Sequence, residues 1–355
     1  MNATNNITVD STRNLLDKFI ALSKGIAKKH PALVVILMHE YFRSLYPNDP
    51  YIKQKYSDDP LSNIYLCLEN NIDAICVFEK IGAYFPDISS LDLNNNTKDD
   101  IQSMSNLFGS LWQKRFDEKV LSSEKVISDL FEANNLDLKK LVKNKNIIDI
   151  GCGSGRFSVA LSKLGAKKVT AVDINKQGLE IAKKFIKDSN ISNIEFIEHN
   201  VLELPFEDES FDFVFSKGVL HHTGDLEKGL EEYSRVLKKG GNGFLYLYAN
   251  GGIYWNSRDK MRDVMKLIPM DFAIKVLDSI GMPSRRTIFV DSWYVPVEDY
   301  VKSQFIEEKF GNLDYENIYR MKSNRPFELD KIVLENGQWA QDLWGEGELR
   351  YYLKK

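Results

Sequence analysis

The stretch Asn146–Ser158, NIIDIGCGSGRFS, sets a carboxylate, Asp149, just ahead of three alternating glycines, Gly151, Gly153 and Gly155. Glycines let a backbone bend sharply and approach a ligand closely, and a carboxylate suits a cation. Such a turn has the geometry of a nucleotide site, although its G-x-G-x-G spacing departs from the G-x-G-x-x-G of dinucleotide-binding turns. A second acid, Asp173, stands 22 residues beyond Gly151. Its oxygens can accept from both hydroxyls of a ribose, or cap the following helix. Farther on come Asn200 in NVLELPF and the adjacent pair His221 and His222 in SKGVLHH. Either imidazole is a candidate general base. Neighbouring residues on a helix diverge by about 100°, so the two rings are not expected to face one substrate together, and a plain structural role stays open. No further ligands are spaced around them for a metal.

These residues need elements to hold them in place. Ile147, Ile148 and Ile150 suit a buried parallel strand over Asn146–Ile150, and a helix follows from Arg156 to Leu164, stopped by Gly165. Val169–Val172 reads as the next strand and delivers Asp173 at its end; Gln177–Asp188 is then helical. Ile194–Glu198, Phe211–Phe215 and Phe244–Tyr248 continue as strands, with helices over Leu226–Leu237 and about Val297–Phe310. A further helix, Leu121–Leu141, precedes the first strand. Strands alternating with helices imply parallel pairing and a doubly wound α/β sheet, which binds ligands beyond the carboxyl ends of its strands.

In order along the chain, IIDIGCGSG, VTAVDIN, NVLELPFEDESFDFVFS, GVLHHTGD and EEYSRVLKKGG resemble the class I S-adenosylmethionine-dependent methyltransferases, from about Leu107 to the C-terminus. The resemblance implies a seven-stranded, mostly parallel, Rossmann-like sheet closed by an antiparallel hairpin, Glu316–Met321 with Glu348–Leu353. It implies S-adenosyl-L-methionine as cofactor, with the amides of Gly151, Gly153 and Gly155 under its methionine part and Asp149 holding the turn or the amino group. Asp173 would take the ribose and Ile174 would pack on the adenine. The N–H of Val201 would contact the adenine, and the backbone of Ser216 or Lys217, with Val219 close by, the methionine end. Asn200 stands where the family usually has an acid, and its amide still offers an acceptor and a donor to the adenine. Phe108 and Trp112 share a helix face and by resemblance would cover the cofactor; core packing explains them equally well.

The remaining chain frames this domain. Residues 1–100 read as a helical domain, with Leu15, Phe19, Leu22 and Ile26 at helical spacing, Pro31 opening a second helix, and a third over Ser62–Ile81. It is expected to be a cap, a lid or the surface of a homodimer. SSLDLNNNTKDD, Ser89–Asp100, is the expected linker to a methyltransferase domain over 101–355. After the fifth strand, residues about 250–295 are too long for a loop and read as an inserted helical cap. Tyr248, Asn250, Tyr254, Arg258, Arg262, Trp293 and Tyr294, with Trp255, Arg285 and Arg286, concentrate there. Aromatic walls with arginines suit a small, partly apolar acceptor carrying a negative group; the same aromatics could simply fasten the cap. Arg258 and Arg262 share a helix face and could clamp an anion, or pair with Asp259 and Asp263.

A net charge of -4 argues against a surface built for nucleic acid. Three scattered cysteines, no signal peptide and no apolar run near a membrane span in length point to the cytoplasm. A nicotinamide-dependent oxidoreductase, a methyltransferase of RNA or protein, and a non-catalytic regulator are the competing readings. Against them stand the glycine spacing, the acidic balance and the intact Asp149 and Asp173, respectively.

Overall fold

The computed structural model describes residues 7–47, 49–81, 116–281, 289, 292–323 and 329–355. The expected linker, Phe108, Trp112, Arg285 and Arg286 lie outside the described residues. The chain divides into two compact units.

One unit, Lys98–Asn250 with Pro296–Glu335 and Glu346–Lys355, is built on a seven-stranded sheet. Its strands are β1 Asn146–Ile150, β2 Lys168–Asp173, β3 Ile194–Glu198, β4 Phe211–Lys217, β5 Leu237–Tyr248, β6 Asn317–Arg320 and β7 Glu348–Lys354, in the order β3-β2-β1-β4-β5-β7-β6. The first five pair in parallel, while β7 runs antiparallel to both β5 and β6. The reversal of strand order therefore falls between β1 and β4, where an open sheet leaves a crevice beyond its carboxyl ends. Ile147, Phe213, Phe215 and Phe244 are fully buried on one face, with Phe215 and Phe244 stacked at 5.1 Å. The helix Arg156–Lys163 lays Phe157 on Phe215. Each such apolar side chain contributes about 1.5–3 kcal/mol through burial.

Three elements differ from expectation. The helix expected over Leu121–Leu141 is two helices, Phe116–Glu132 and Leu138–Val142, because Asn135 turns the chain at φ +58° and Asp137 caps the second. Strand β5 begins at Leu237, well before Phe244, because Leu237 pairs with Phe211 across a bulge through the glycine-rich KKGGNG segment. That segment lacks the β-branched pattern that announces a strand. The helix expected from Val297 starts only at Ser303. Residues 297–301 have no regular structure and are held by two backbone bonds instead: Asp299 N–H donates to His221 O at 2.7 Å and Val301 N–H to Tyr248 O at 3.3 Å.

The other unit, Met1–Thr97 with Gly251–Val295 and Asn336–Gly345, is helical among its described residues. Val9–Ile26 packs on Pro60–Ile81 and on Gly252–Met265; Pro31–Ser44 packs on Pro60–Ile81 and Met270–Ser279; Gln338–Trp344 packs on Gly252–Met265. The stretch after β5 thus shares its core with the N-terminal helices. In the first helix the buried stripe is Thr12, Leu16, Phe19, Ser23 and Ile26; Leu15 and Leu22 sit at its edge, because the stripe takes in two small hydroxyl residues. Tyr41 bonds Ser257 at 2.7 Å, and Trp344 Nε1–H donates to Leu45 O at 2.9 Å.

Candidate active site

The site begins where β1 gives way to the glycine turn. The N–H groups of Gly151 and Cys152 both donate to Val172 O, at 2.8 and 3.0 Å, pinning the turn to the end of β2. Gly151 has φ +72°, and a Cβ there would lie 2.3 Å from the methyls of Val219. Only glycine fits, and Val219 closes over the turn. Gly153, at φ +56°, donates its N–H to Asp173 Oδ2 at 2.7 Å, and Asp173 Oδ1 accepts from Asn175 N–H at 2.8 Å. Gly155 leads directly into the helix Arg156–Lys163.

Asp173 does not cap the next helix; Asn175 does, accepting from Gly178 N–H at 3.1 Å. Asp173 thus accepts from the backbone at both of its oxygens, and a carboxylate has further lone pairs for a ligand hydroxyl. Burial raises this carboxyl above the usual carboxylate range, opposed by the N–H groups of Asn175, Gly153 and Ile174. Beside it Ile174 is 39% exposed, a large apolar side chain at the carboxyl end of β2.

Asp149 lies buried on β1 and accepts from Ser158 Oγ at 2.6 Å. Burial pushes its carboxyl up to about 7, against the Ser158 hydrogen bond and with the repulsion of Asp173 adding to it. Sequence reasoning missed Ser158, although a hydroxyl one turn into the helix after a glycine turn is a recognisable signal.

Asn200 uses its Oδ1 within its own turn, accepting from Leu202 N–H at 3.0 Å, and the Val201 side chain is buried beside it. Ser216 lies in β4 opposite Ile150 and Leu245 with its side chain wholly buried in the sheet. The chain beyond Ser216 is more open. Lys217 Nζ stands 5.4 Å from the Phe157 ring centroid and 4.7 Å from that of Tyr246. Tyr246 in turn donates to Glu348 Oε1 at 2.6 Å and carries Arg350 over its ring at 4.9 Å. Arg350 bonds the buried Asp330 at 2.6 Å. Phe157, Tyr246, Glu348, Arg350 and Asp330 also escape sequence reasoning, since their meeting depends on strand order.

The histidines occupy a single 3-10 turn, Leu220–His222, and their ring centroids are only 4.2 Å apart, so they do not diverge as helical neighbours would. His221 is fully buried, 4.0 Å from the Tyr248 ring. His222 is half-buried, and its Nδ1 lies 2.9 Å from Val297 O. Asn250 Nδ2 reaches Tyr300 O at 3.5 Å.

The other acceptor-binding candidates belong to the helical unit. Tyr254 meets Tyr46 through its hydroxyl at 3.3 Å, Trp293 stacks on Phe289 at 5.2 Å, and Tyr294 donates to Ile268 O at 3.0 Å. Arg258 and Arg262 are both nearly buried. Arg258 lies 5.4 Å over Trp255, and Arg262 bonds Asp259 at 3.2 Å, while Asp263 pairs with Lys24. Among the described residues, no cluster of three or more metal-ligating side chains occurs, and no helix is long and apolar enough to cross a membrane.

Residues 148–245 match the family model described as a methyltransferase domain. This stretch, from β1 into β5, is a class I S-adenosylmethionine-dependent methyltransferase domain and supplies the five parallel strands of the sheet. The demethylmenaquinone methyltransferase of Listeria welshimeri is 33% identical over 108 residues, covering 30% of this chain and 46% of the relative. That of Staphylococcus aureus strain MRSA252 is 34% identical over 119 residues, covering 31% and 48%. The chain spans about half the length of the curated relatives it matches. A solved S-adenosylmethionine-dependent methyltransferase from Mesorhizobium loti is similar at 16% identity and a TM-score of 0.40, covering 61% of this chain and 93% of that one.

Proposed function

We propose that the whole protein is an S-adenosylmethionine-dependent methyltransferase acting on a partly apolar small molecule. The observation that carries this reading is the tie between Asp173 and Gly153 N–H, which sets a ribose-binding carboxylate against the glycine turn. The residues present fit the cofactor. Asp149 supplies a negative group for its cationic methionine end, Gly151 lets Val219 pack closely onto the turn, and exposed Ile174 offers an apolar surface for the adenine. The turn at Asn200 and Val201, and the backbone after Ser216 beside Val219, are assigned to the adenine and methionine ends in turn. With Asn200 Oδ1 engaged by Leu202, the adenine contact falls to its NH2 group and to the Val201 backbone.

Methyl transfer is a displacement at a carbon already activated by sulfonium, so the protein chiefly aligns donor and acceptor. Tyr246, Tyr248, Phe157 and Lys217 at the carboxyl edge of β4 and β5 support an acceptor with an aromatic or apolar body and a negative group. The name of the Listeria and Staphylococcus relatives supports a small-molecule acceptor. Calorimetric titration with S-adenosylhomocysteine, beside transfer of labelled methyl from S-adenosylmethionine, tests the reading. Binding of the methionine-derived ligand is expected; binding of a nicotinamide dinucleotide in its place would overturn it.

A further inference from the structure

The amino-terminal edge of the sheet, at the far end of β1 from the glycine turn, concentrates charge of one sign. Residues 138–148, from the short helix Leu138–Val142 into β1, hold Lys139, Lys140, Lys143 and Lys145 and no acid. Residues 162–172, from the end of the helix Arg156–Lys163 into β2, hold Lys163, Lys167 and Lys168 and again no acid. All seven lysines are exposed, in a chain whose net charge is -4. The fold brings the two stretches together: Asn144 N–H donates to Gly165 O and Lys167 N–H to Lys145 O, both at 2.9 Å, and β1 pairs with β2 from Asn146 opposite Lys168. Like charges held side by side repel unless acids relieve them. Lys140 and Lys168 have one each, Asp137 at 3.2 Å and Glu195 at 2.6 Å. Asp212, on which Lys145 acts electrostatically, is already held by Lys238 at 2.8 Å. Lys139, Lys143, Lys163 and Lys167 have no ion pair with any described residue.

Such an edge is complementary to a dense negative surface, and its chemistry separates two kinds. Nucleic acids are met by arginine forks on their phosphates and by exposed aromatic rings on their bases. Here every basic residue is a lysine, neither stretch holds an aromatic, and half-buried Leu136 and Leu141 stand among the lysines. Point charges on long flexible stems, with aliphatic side chains between them, suit a lipid headgroup layer: the stems lie along apolar ground while the ammonium groups reach the phosphates. We propose that this edge is a docking surface for anionic phospholipid headgroups. The proposal goes beyond methyl transfer and does not depend on it. Docked in this way, the carboxyl edge of the sheet, with the glycine turn and Asp173, faces away from the lipid. The contact therefore tethers the domain and leaves its crevice open to solution.

Sedimentation of the full chain with lipid vesicles tests it. At about 0.1 M salt the protein should pellet with vesicles of phosphatidylglycerol and phosphatidylcholine in equal parts, and stay in solution with phosphatidylcholine alone. At about 1 M salt, where screening shortens from about 10 Å to about 3 Å, it should be released. Each lysine near such a surface contributes about fivefold in affinity, so Lys139→Gln, Lys143→Gln and Lys167→Gln together should weaken binding by roughly 100-fold. The control removes the same charge elsewhere: Lys18→Gln, Lys28→Gln and Lys29→Gln, all exposed on the helical unit, should leave binding nearly intact. Circular dichroism should be unaltered in both variants, since only exposed lysines change. Failure of the native protein to pellet with the anionic vesicles overturns the proposal. Equal loss in the two triple variants overturns it too, because net charge alone would then explain the binding. Capture of an RNA oligonucleotide in place of the vesicles, lost in the first variant, would assign the edge to nucleic acid instead.

Discussion

Cofactor affinity should depend on pH chiefly through Asp149, the one of the two raised carboxylates in the site that is pushed to about 7. Burial raises this group to about 7, and the Ser158 hydroxyl leaves it a fixed partner at 2.6 Å. A ligand bringing an ammonium to the turn favours the ionised form, so the ligand must expel the proton whenever the resting site is protonated. Each pH unit below 7 should then cost about tenfold in affinity, or ~1.4 kcal/mol, until the lowered value of the bound state is reached. Binding at about pH 6 should release close to one proton, and at about pH 8 almost none. The same shift acts on folding with a fixed sign. Since the folded-state value lies above the unfolded one, stability is full at acidic pH and is lost as pH rises from the ordinary carboxylate range toward 7. The loss in the ligand-free protein is at most about 4 kcal/mol. The assay is calorimetry with S-adenosylhomocysteine in buffers of different ionisation enthalpy. Asp149→Asn serves as control, because its amide oxygen can still accept from Ser158 and cannot titrate. A flat affinity profile, or an unchanged slope in the asparagine variant, refutes the reasoning.

Other perturbations give sharper yes-or-no answers. Asp173→Ala removes the acceptor of Gly153 N–H and the carboxylate proposed for the ribose, so affinity for S-adenosylhomocysteine should fall by about 1–3 kcal/mol; unchanged calorimetry would take Asp173 out of the site. Gly153→Val forces a branched side chain into φ +56° and should abolish cofactor binding in a protein that still folds by circular dichroism; retained affinity counts against the glycine turn. Asp330→Ala takes from Arg350 the more buried of its two carboxylate partners, leaving Glu348 at 2.5 Å, and should cost about 1–3 kcal/mol in denaturant unfolding, with no measurable effect contradicting the assignment. Removing Arg258 and Arg262 together takes away the partner of Asp259 and the cation over Trp255, and Tm should fall while S-adenosylhomocysteine affinity holds; an unchanged Tm would free both arginines for an acceptor.

How much of the structure is legible in the chain depends on the range of the forces involved. Asn146–Ile150 and its glycine turn are written locally, in β-branched residues followed by the one residue type that tolerates positive φ, so strand, turn and helix fall where the pattern puts them. Asp173 is recognisable for the same reason, as the polar end of an apolar strand. Its bond to Gly153 is not, because it requires β1 and β2 to be neighbours in register, Ile150 opposite Val172. Periodicity also announces that residues after Gly251 form apolar-faced helices, without naming the surface that receives them. That surface is the helix Val9–Ile26, through pairs such as Lys24 with Asp263 that only the folded chain brings together. The His222 contact shows the limit most clearly. Nothing around VEDY in the sequence marks Val297 as an anchor, since a carbonyl is common to every residue and carries no side-chain signature. A backbone acceptor chosen by a distant loop is invisible to composition, spacing and periodicity alike, yet it decides which nitrogen of the ring carries the hydrogen.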